Sequence, residues 1–367
     1  MPRHYIGLIS GTSMDGVDAV IASFDDDSLT LSGSHAYPYP PELHALLQAV
    51  IAKPDGCDLD QLGTLDRMVG ECFRDAALAL MADAGMDRRE IVAIGSHGQT
   101  LRHQPGGNHP FSMQIGDAAT ITEGTGIATV SDFRRADVAA GGQGAPLVPP
   151  FHQWLFAISG ADRIVLNLGG IANITLLPGD DSSVIGFDTG PGNTLLDAWI
   201  NEQRGTPYDS DGSWAAAGTV SQRLLDALLT DAYFDLPAPK STGFEYFNLD
   251  WLRNYGIDDE RPIDVQATLS ELTASSVSDA IRETAPAATE VFVCGGGVHN
   301  KDLMSRLRSQ LPRMTIKRTS ALGLDPDWVE AAAFAWLAMR TMDGETGNLP
   351  SVTGARHKTI LGAIHYP

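Results

Sequence analysis

Two apolar runs, residues 5–9 and 17–24, enclose the polar turn Ser10-Gly11-Thr12-Ser13-Met14-Asp15-Gly16. Apolar runs around a glycine-edged turn predict a β-hairpin. The pattern recurs near mid-chain, where the run 163–168 meets Gly169-Gly170-Ile171-Ala172-Asn173 and the run 174–177 leaves it. Two such hairpins, each opening an α/β half, suggest a duplicated fold, with no further repeat visible in the sequence. Glycines at a tip let backbone N–H groups approach a ligand, and successive N–H groups in such a turn form an anion-binding nest. Thr12 and Ser13 add hydroxyl donors to the first tip. Asp15 repels a phosphate unless a cation sits between them, so the turn fits a phosphate loop with a Mg²⁺ partner. It also fits an ordinary hairpin turn rich in Gly, Ser and Asp.

Composition narrows the classes. The 367 residues suffice for two domains, each with its own core. A net charge of −21 argues against a general nucleic-acid or anionic-membrane binder, because phosphate backbones need a basic footprint. Any phosphate site must then be built locally, from backbone dipoles and a metal. Cys57, Cys72 and Cys294 are odd in number and lack C-x-x-C spacing, which fits a reducing cytoplasm rather than a disulfide framework. The N-terminus shows no signal-peptide h-region, and no apolar run approaches the roughly 20 residues that span a bilayer. A cytoplasmic protein is expected; its oligomeric state, a homodimer included, stays open.

Several common sites are missing from the sequence. No Lys follows a Gly, so the G-x-x-x-x-G-K-[ST] loop is absent. There is no G-x-G-x-x-G, H-R-D, D-F-G, G-x-S-x-G or H-E-x-x-H. A phosphate-binding chain without a Walker lysine points to a different nucleotide fold, in keeping with the hairpins.

Taken in order, residues 29–39 supply a third antiparallel strand. Helices follow over 41–52 and from 62 to about 80, the second closed near Gly85. Residues 91–95 read as a short buried strand that delivers Ser96-His97-Gly98-Gln99-Thr100 to its C-terminal end, where α/β sheets bind ligands. His97 is there either a substrate contact or a hydrogen-bonded residue that fixes the loop. The strand 127–130 leads to Ser131-Asp132-Phe133-Arg134, a set that suits a polar sugar or a surface ion-pair cluster. The Gly- and Pro-rich stretch 141–150 is the expected crossing between domains. The first domain is thus expected over 1–140, completed by 343–367, and the second over 141–342. In the second, the strand 184–187 ends at Asp188, before Thr189-Gly190-Pro191-Gly192-Asn193 and a helix. Asp188 fits a catalytic carboxylate or a helix N-cap. Gly295-Gly296-Gly297 follows the strand 291–294, where glycines let backbone lie flat against a planar ligand. Glu330 opens an Ala-rich helix over 328–342, where it reaches a ligand or simply favours the helix dipole.

Gly11-Thr12-Ser13-Met14-Asp15-Gly16-Val17-Asp18 resembles the first phosphate motif of the anhydro-N-acetylmuramic acid kinases, within the larger group of sugar kinases, actin and the 70-kDa chaperones. The resemblance continues through Ser131-Asp132-Phe133-Arg134, the Gly141–Leu147 segment, Asn167-Leu168-Gly169-Gly170 and Phe187-Asp188-Thr189-Gly190-Pro191-Gly192. It extends to Lys240-Ser241-Thr242-Gly243, Gly295-Gly296-Gly297 and the tail Gly347–Ala355. One departure stands out: Phe244 occupies the position after Lys-Ser-Thr-Gly where the resemblance calls for Arg.

The resemblance implies two ribonuclease H-like α/β domains of the actin and sugar-kinase type, around a central cleft. It implies an ATP- and Mg²⁺-dependent kinase that opens the 1,6-anhydro ring of 1,6-anhydro-N-acetylmuramic acid with water and phosphorylates O6, in cell-wall recycling. Asp188 is then the base that activates water, with Asp132 the runner-up. Gly11 to Asp18 hold the ATP phosphates, Gly169 and Gly170 form the second phosphate tip, and Gly295 and Gly296 meet the adenosine. Mg²⁺ lies by Asp15 through water, and His97, Asp132, Arg134 and Glu330 face the sugar. An ordinary hexosamine kinase of the same fold, or an ATP-driven scaffold, are the other readings of the residues.

Overall fold

The computed structural model describes all residues except 1–2, 12–13, 26–27 and 53–55. Its chain contacts divide into two compact units, Met1–Leu155 with Trp328–Pro367, and Phe156–Asp327. The division falls at Leu155/Phe156, just beyond the expected crossing over 141–150, and the helix over 329–342 lies with the first unit rather than the second.

The first unit begins with β1 (His4–Ser10), β2 (Gly16–Asp25) and β3 (Ser28–Pro38), an antiparallel meander. Helices α1 (Pro41–Ala52) and α2 (Leu59–Ala84) follow. Asp58 caps the start of α2 through Gln61 N, and Gly85 ends it at φ 65°, the left-handed turn that glycine makes without strain. Then come β4 (Ile91–Gln104), β5 (Phe111–Ile115), α3 (Ala118–Thr125), β6 (Thr129–Ser131), α4 (Phe133–Ala139) and α5 (Pro149–Phe156). Strand β4 is much longer than the run 91–95 suggests. It passes beyond β1 and pairs with β5 from Gln99 onward, so His97 lies inside a strand and not in a loop.

The second unit repeats the pattern with β7 (Arg163–Leu168), β8 (Ile171–Leu177) and β9 (Ile185–Pro191). These are followed by α6 (Thr194–Arg204), α7 (Ser213–Ala217), α8 (Gln222–Leu229), α9 (Leu249–Arg253), α10 (Pro262–Thr284), β10 (Glu290–Cys294), α11 (Lys301–Gln310) and β11 (Thr315–Arg318). The chain then returns to the first unit with α12 (Val329–Met342), α13 (Pro350–Thr353) and β12 (Ala363–His365).

The two sheets share a five-stranded topology, to which the first adds β12 beside β6 and β5 beside β4. In the first, the order is β12-β6-β4-β1-β2-β3; in the second, β11-β10-β7-β8-β9. Each starts with a three-stranded meander whose first strand is central. The next strands, β4 then β6 in one unit and β10 then β11 in the other, add in parallel to that first strand. This is the duplicated ribonuclease H-like α/β arrangement expected of an actin-type sugar kinase. Parallel addition needs a crossover that covers the sheet, which explains why helices intervene only after the third strand.

In the first unit, α12 lies against β1, β2 and β4. Gly7 and Gly95 are register partners in the neighbouring parallel strands β1 and β4. A Cβ on Gly7 would sit 1.9 Å from Ala331 O, and one on Gly95 2.1 Å from Phe334 O. Two glycines on the sheet and a run of alanines on the helix therefore bring backbone onto backbone. Behind the other face, α2 packs Val69, Phe73, Ala76 and Leu80 into a core with Leu8, Ile21 and Leu43.

Candidate active-site residues in the two units

At the first hairpin tip, Met14 N donates to Gly11 O at 3.2 Å, and Met14 adopts φ 55°. Tyr39 N donates to Asp15 O at 3.0 Å, which ties the tip to the end of β3. The Asp15 side chain is exposed, whereas Asp18 is half-buried in β2 opposite Ile9. Val17 belongs to the core, so its side chain is not offered to a ligand. Gly16 has a packing reason of its own: a Cβ there would lie 2.3 Å from Tyr37 O of β3. Thr12 and Ser13, expected to contribute hydroxyls, lie outside the described residues.

Sequence reasoning passed over Gln99. Its side chain is buried, accepts from Ser10 Oγ at 2.6 Å, and donates to Gly11 O at 3.4 Å and Thr100 O at 3.3 Å. The amide thus braces the tip from β4. A buried Gln in the Ser96–Thr100 run was the available signal, masked by the attention that His97 draws.

His97 is buried against the Phe334 ring, with centroids 4.6 Å apart. Arg134 Nε–H points at His97 Nε2, 3.0 Å away. A guanidinium only donates, so Nε2 accepts and the proton sits on Nδ1, which donates to Gly98 O at 2.9 Å. Burial, reinforced by the Arg134 charge, holds the imidazole well below its usual pKa and therefore neutral. Both ring nitrogens are engaged by the protein, and the histidine aims the arginine. Arg134 Nη1 also donates to Gly144 O at 2.7 Å, which fixes the second branch of the guanidinium.

Asp132 precedes α4 with φ 59°, a left-handed conformation that Asp tolerates at some cost. Burial raises its carboxyl pKa, opposed by Arg135 at 3.4 Å. Nearby, Asp137 is fully buried and accepts from Gly144 N at 2.8 Å, Asn348 Nδ2 at 2.7 Å and Thr353 Oγ1 at 2.7 Å. This one carboxylate explains the tail motif, because Asn348 and Thr353 exist to satisfy it. It also explains Gly142, whose Cβ would fall 2.2 Å from Asp137 Oδ2. Glu330 occupies the first turn of α12 and is half-buried.

In the second unit, the Gly169-Gly170 tip is joined to the start of α6. Gly169 O accepts from Asn193 N at 2.9 Å, and Gly170 O from Gly192 N at 2.9 Å and Thr194 N at 3.0 Å. Asn193 Nδ2 adds a bond to Leu168 O at 3.0 Å. Gly192 is required, since a Cβ would sit 2.3 Å from Gly169 O.

Asp188 is not at a strand end. It lies within β9, opposite Asn173, and the register slips before Gly190 pairs with Ala172, so Thr189 is the extra residue of a bulge. The helix N-cap is Asn193, so Asp188 caps nothing. Its surroundings are built by the segment 233–242. Asp188 N donates to Lys240 O at 3.0 Å, Thr242 N donates to Asp188 Oδ2 at 2.9 Å, and Tyr233 OH donates to Asp188 O at 2.7 Å.

The glycines after β10 divide by purpose. A Cβ on Gly295, where φ is 80°, would lie 2.3 Å from Asn167 Oδ1, and one on Gly297 would lie 2.6 Å from Leu168 Cβ. Both are demanded by packing on β7. Only Gly296 of the three opens onto space, with nothing within 4 Å of its Cβ position. Among the described residues, no three His, Cys, Asp or Glu side chains converge on a possible metal position.

The sequence matches the family model described as anhydro-N-acetylmuramic acid kinase over residues 3–367. A protein of that name from Shewanella loihica is 51% identical over 370 residues, covering 99% of both chains. One from Xanthomonas campestris pv. campestris is 52% identical, covering 98% of this chain and 97% of the relative. One from Coxiella burnetii is 49% identical, covering 100% and 98%. A family match over residues 3–367 and identity near one half over at least 97% of each chain show that the chain belongs to the anhydro-N-acetylmuramic acid kinase family.

Proposed function

We propose that this protein is an ATP-dependent kinase that opens the 1,6-anhydro bridge of 1,6-anhydro-N-acetylmuramic acid with water and phosphorylates O6. The products are N-acetylmuramic acid 6-phosphate and ADP, and the setting is cell-wall recycling in the cytoplasm. The match to the kinase family over residues 3–367 carries the reading.

The reaction needs a base near the anomeric carbon. Water adds its oxygen to C1, the C1–O6 bond breaks, and O6 becomes the nucleophile toward the γ-phosphorus as ADP departs. We assign the proton of the attacking water to the Asp188 carboxylate, with Asp132 as runner-up. In support, Asp188 sits on a bulged strand and one of its oxygens is fixed by Thr242 N–H, which leaves little freedom of aim. Arg134, held by His97 and Gly144 O, and Glu330 on α12 orient the sugar.

The residues from Gly11 to Asp18 receive ATP phosphates on the first tip, and Gly169 and Gly170 on the second. Gly296 lets the adenosine approach the backbone; Gly295 supports it from beneath. A single exposed carboxylate, Asp15, with no convergent cage among the described residues, suits a Mg²⁺ held mainly by phosphates and water. Bound there, Mg²⁺ would offset phosphate charge.

Labelled water and one substitution test the reading. With Mg-ATP and the anhydro sugar, solvent oxygen should appear at C1 of the phosphorylated product. Asp188→Asn keeps the shape and removes the base, so turnover should fall by about 10²–10⁴-fold while both substrates still bind. Asp132→Asn should act mainly on sugar affinity. An unlabelled C1 excludes the hydrolytic step. Near-normal turnover in Asp188→Asn with a dead, sugar-binding Asp132→Asn exchanges the two roles.

A further inference from the structure

The segment that holds Asp188 is itself cinched by a lysine. Lys240 Nζ donates to Tyr233 O at 3.1 Å and Phe234 O at 3.0 Å, and lies 4.8 Å from the centre of the Tyr233 ring. The ammonium therefore closes residues 233–240 into a loop. Three contacts to Asp188 come from this loop and the residues just after it: the Tyr233 hydroxyl, the Lys240 carbonyl and the Thr242 N–H. Burial lowers the pKa of Lys240, opposed by Glu283 and Asp235.

The base of the loop is anchored separately. Asp231 accepts from Tyr233 N at 2.9 Å, Tyr246 OH at 2.8 Å, Trp251 Nε1 at 2.8 Å and Tyr255 OH at 2.9 Å. The Tyr233, Phe247 and Trp251 rings stack edge to face around it. One end of the loop is thus rigid. The other end, residues 240–242, returns to Tyr233 through the lysine. A salt bridge is not the device here, because the ammonium meets neutral carbonyls and a ring face.

We propose that Lys240 is a positioning residue for the Asp188 carboxylate, a role that rests on the reading of Asp188 as the water-activating base. In this role Lys240 acts through the loop and not by contact with sugar or nucleotide. Its ammonium fixes the loop, the loop places Thr242 N–H, and that N–H sets the direction of the carboxylate. This accounts for the Lys-Ser-Thr-Gly motif without any charged contact to substrate, and for the tolerance of Phe244 where the resemblance calls for Arg.

The test compares Lys240→Met, Lys240→Arg and Asp188→Asn in the full-length enzyme, singly and combined. Lys240→Met keeps length and apolar stem but removes the donors. It should lower kcat by about 10–100-fold, with KM for ATP and for the sugar changed by less than about 3-fold. Lys240→Arg, which retains donors for both carbonyls, should recover most of the loss. On an Asp188→Asn background, Lys240→Met should cost less than about 2-fold more, because the group it positions is gone.

A loss of equal factor in both backgrounds overturns the proposal, since a general structural defect would act through any active site. So does a wild-type kcat in folded Lys240→Met while Asp188→Asn is inactive. Near-normal turnover in Asp188→Asn instead removes the base assignment, and the positioning role falls with it. Should Lys240→Met fail to fold, Tyr233→Phe deletes the hydroxyl bond to Asp188 O without touching the lysine. It should show the same kcat-only loss and the same dependence on Asp188; an unchanged kcat or an additive loss counts against the proposal.

Discussion

Gly95→Ala adds one methyl group at the seam between β4 and α12. The new Cβ would stand 2.1 Å from Phe334 O and 2.9 Å from Phe334 C, whereas real Cβ contacts essentially never fall below 3.0 Å. Both partners are backbone, so no side chain can swing aside. The helix must retreat by at least about 0.9 Å. A gap of that size forfeits about a quarter to a half of each contact's dispersion along the seam. Overpacking of a tight core costs about 1–3 kcal/mol, and two rigid backbones place this case at the upper end or beyond. At about 2–4 °C per kcal/mol for a unit of this size, the melting temperature should fall by about 6–12 °C.

Function should suffer as well, because α12 carries Glu330 in its first turn and Phe334 against the His97 ring. A displacement near 1 Å at positioning groups costs about 10²-fold in turnover. Gly63→Ala is the matched control: it lies exposed in α2, with nothing within 4 Å of its Cβ position. It should raise stability by about 0.5–1 kcal/mol and leave turnover alone. Thermal unfolding followed by circular dichroism, with initial rates of ADP release, measures both. A Gly95→Ala protein that melts within a degree of the parent and turns over normally would refute the backbone-contact reasoning.

Further predictions concern buried polar groups. Burial holds His97 far below its usual pKa, His103 at about 4 and His152 at about 3. The unfolded chain takes up these protons near pH 6.5 and the folded one does not, so stability should be full above about 6.5 and fall as pH drops toward 4. The slope approaches about 1.4 kcal/mol per pH unit for each histidine. Melting temperatures that stay level from pH 7 to 5 would contradict neutral buried imidazoles. Asn348→Ala removes a donor from buried Asp137 and the acceptor of Thr359 N. It should cost about 2–3 kcal/mol and expose the C-terminal segment to limited proteolysis, and a tail cut no faster than in the parent would show that Asp137 does not need it.

The sequence alone determined most of the local architecture. Apolar runs around glycine turns set both hairpins, and apolar positions at helical spacing set α1 and α2, because these signals depend only on neighbours a few residues apart. The long motifs carried the family, and with it the expected roles of Asp188, Asp132 and the glycine tips. What the sequence could not fix are relations between remote residues. Asp137 meets Asn348 across 211 positions, and no local pattern in either stretch announces the bond. The choice of α12 for the first unit follows from Gly7 and Gly95 being register partners, which sheet order decides and periodicity does not. His97 read equally as substrate contact or structural residue until Arg134, on another element, took its second nitrogen. Asp188 read as a strand-end acid; the bulge and the loop from Tyr233 to Thr242 gave it a fixed carboxylate instead. In each case the deciding atoms come from separate strands or loops, and only the completed packing of the sheet brings them within hydrogen-bond reach.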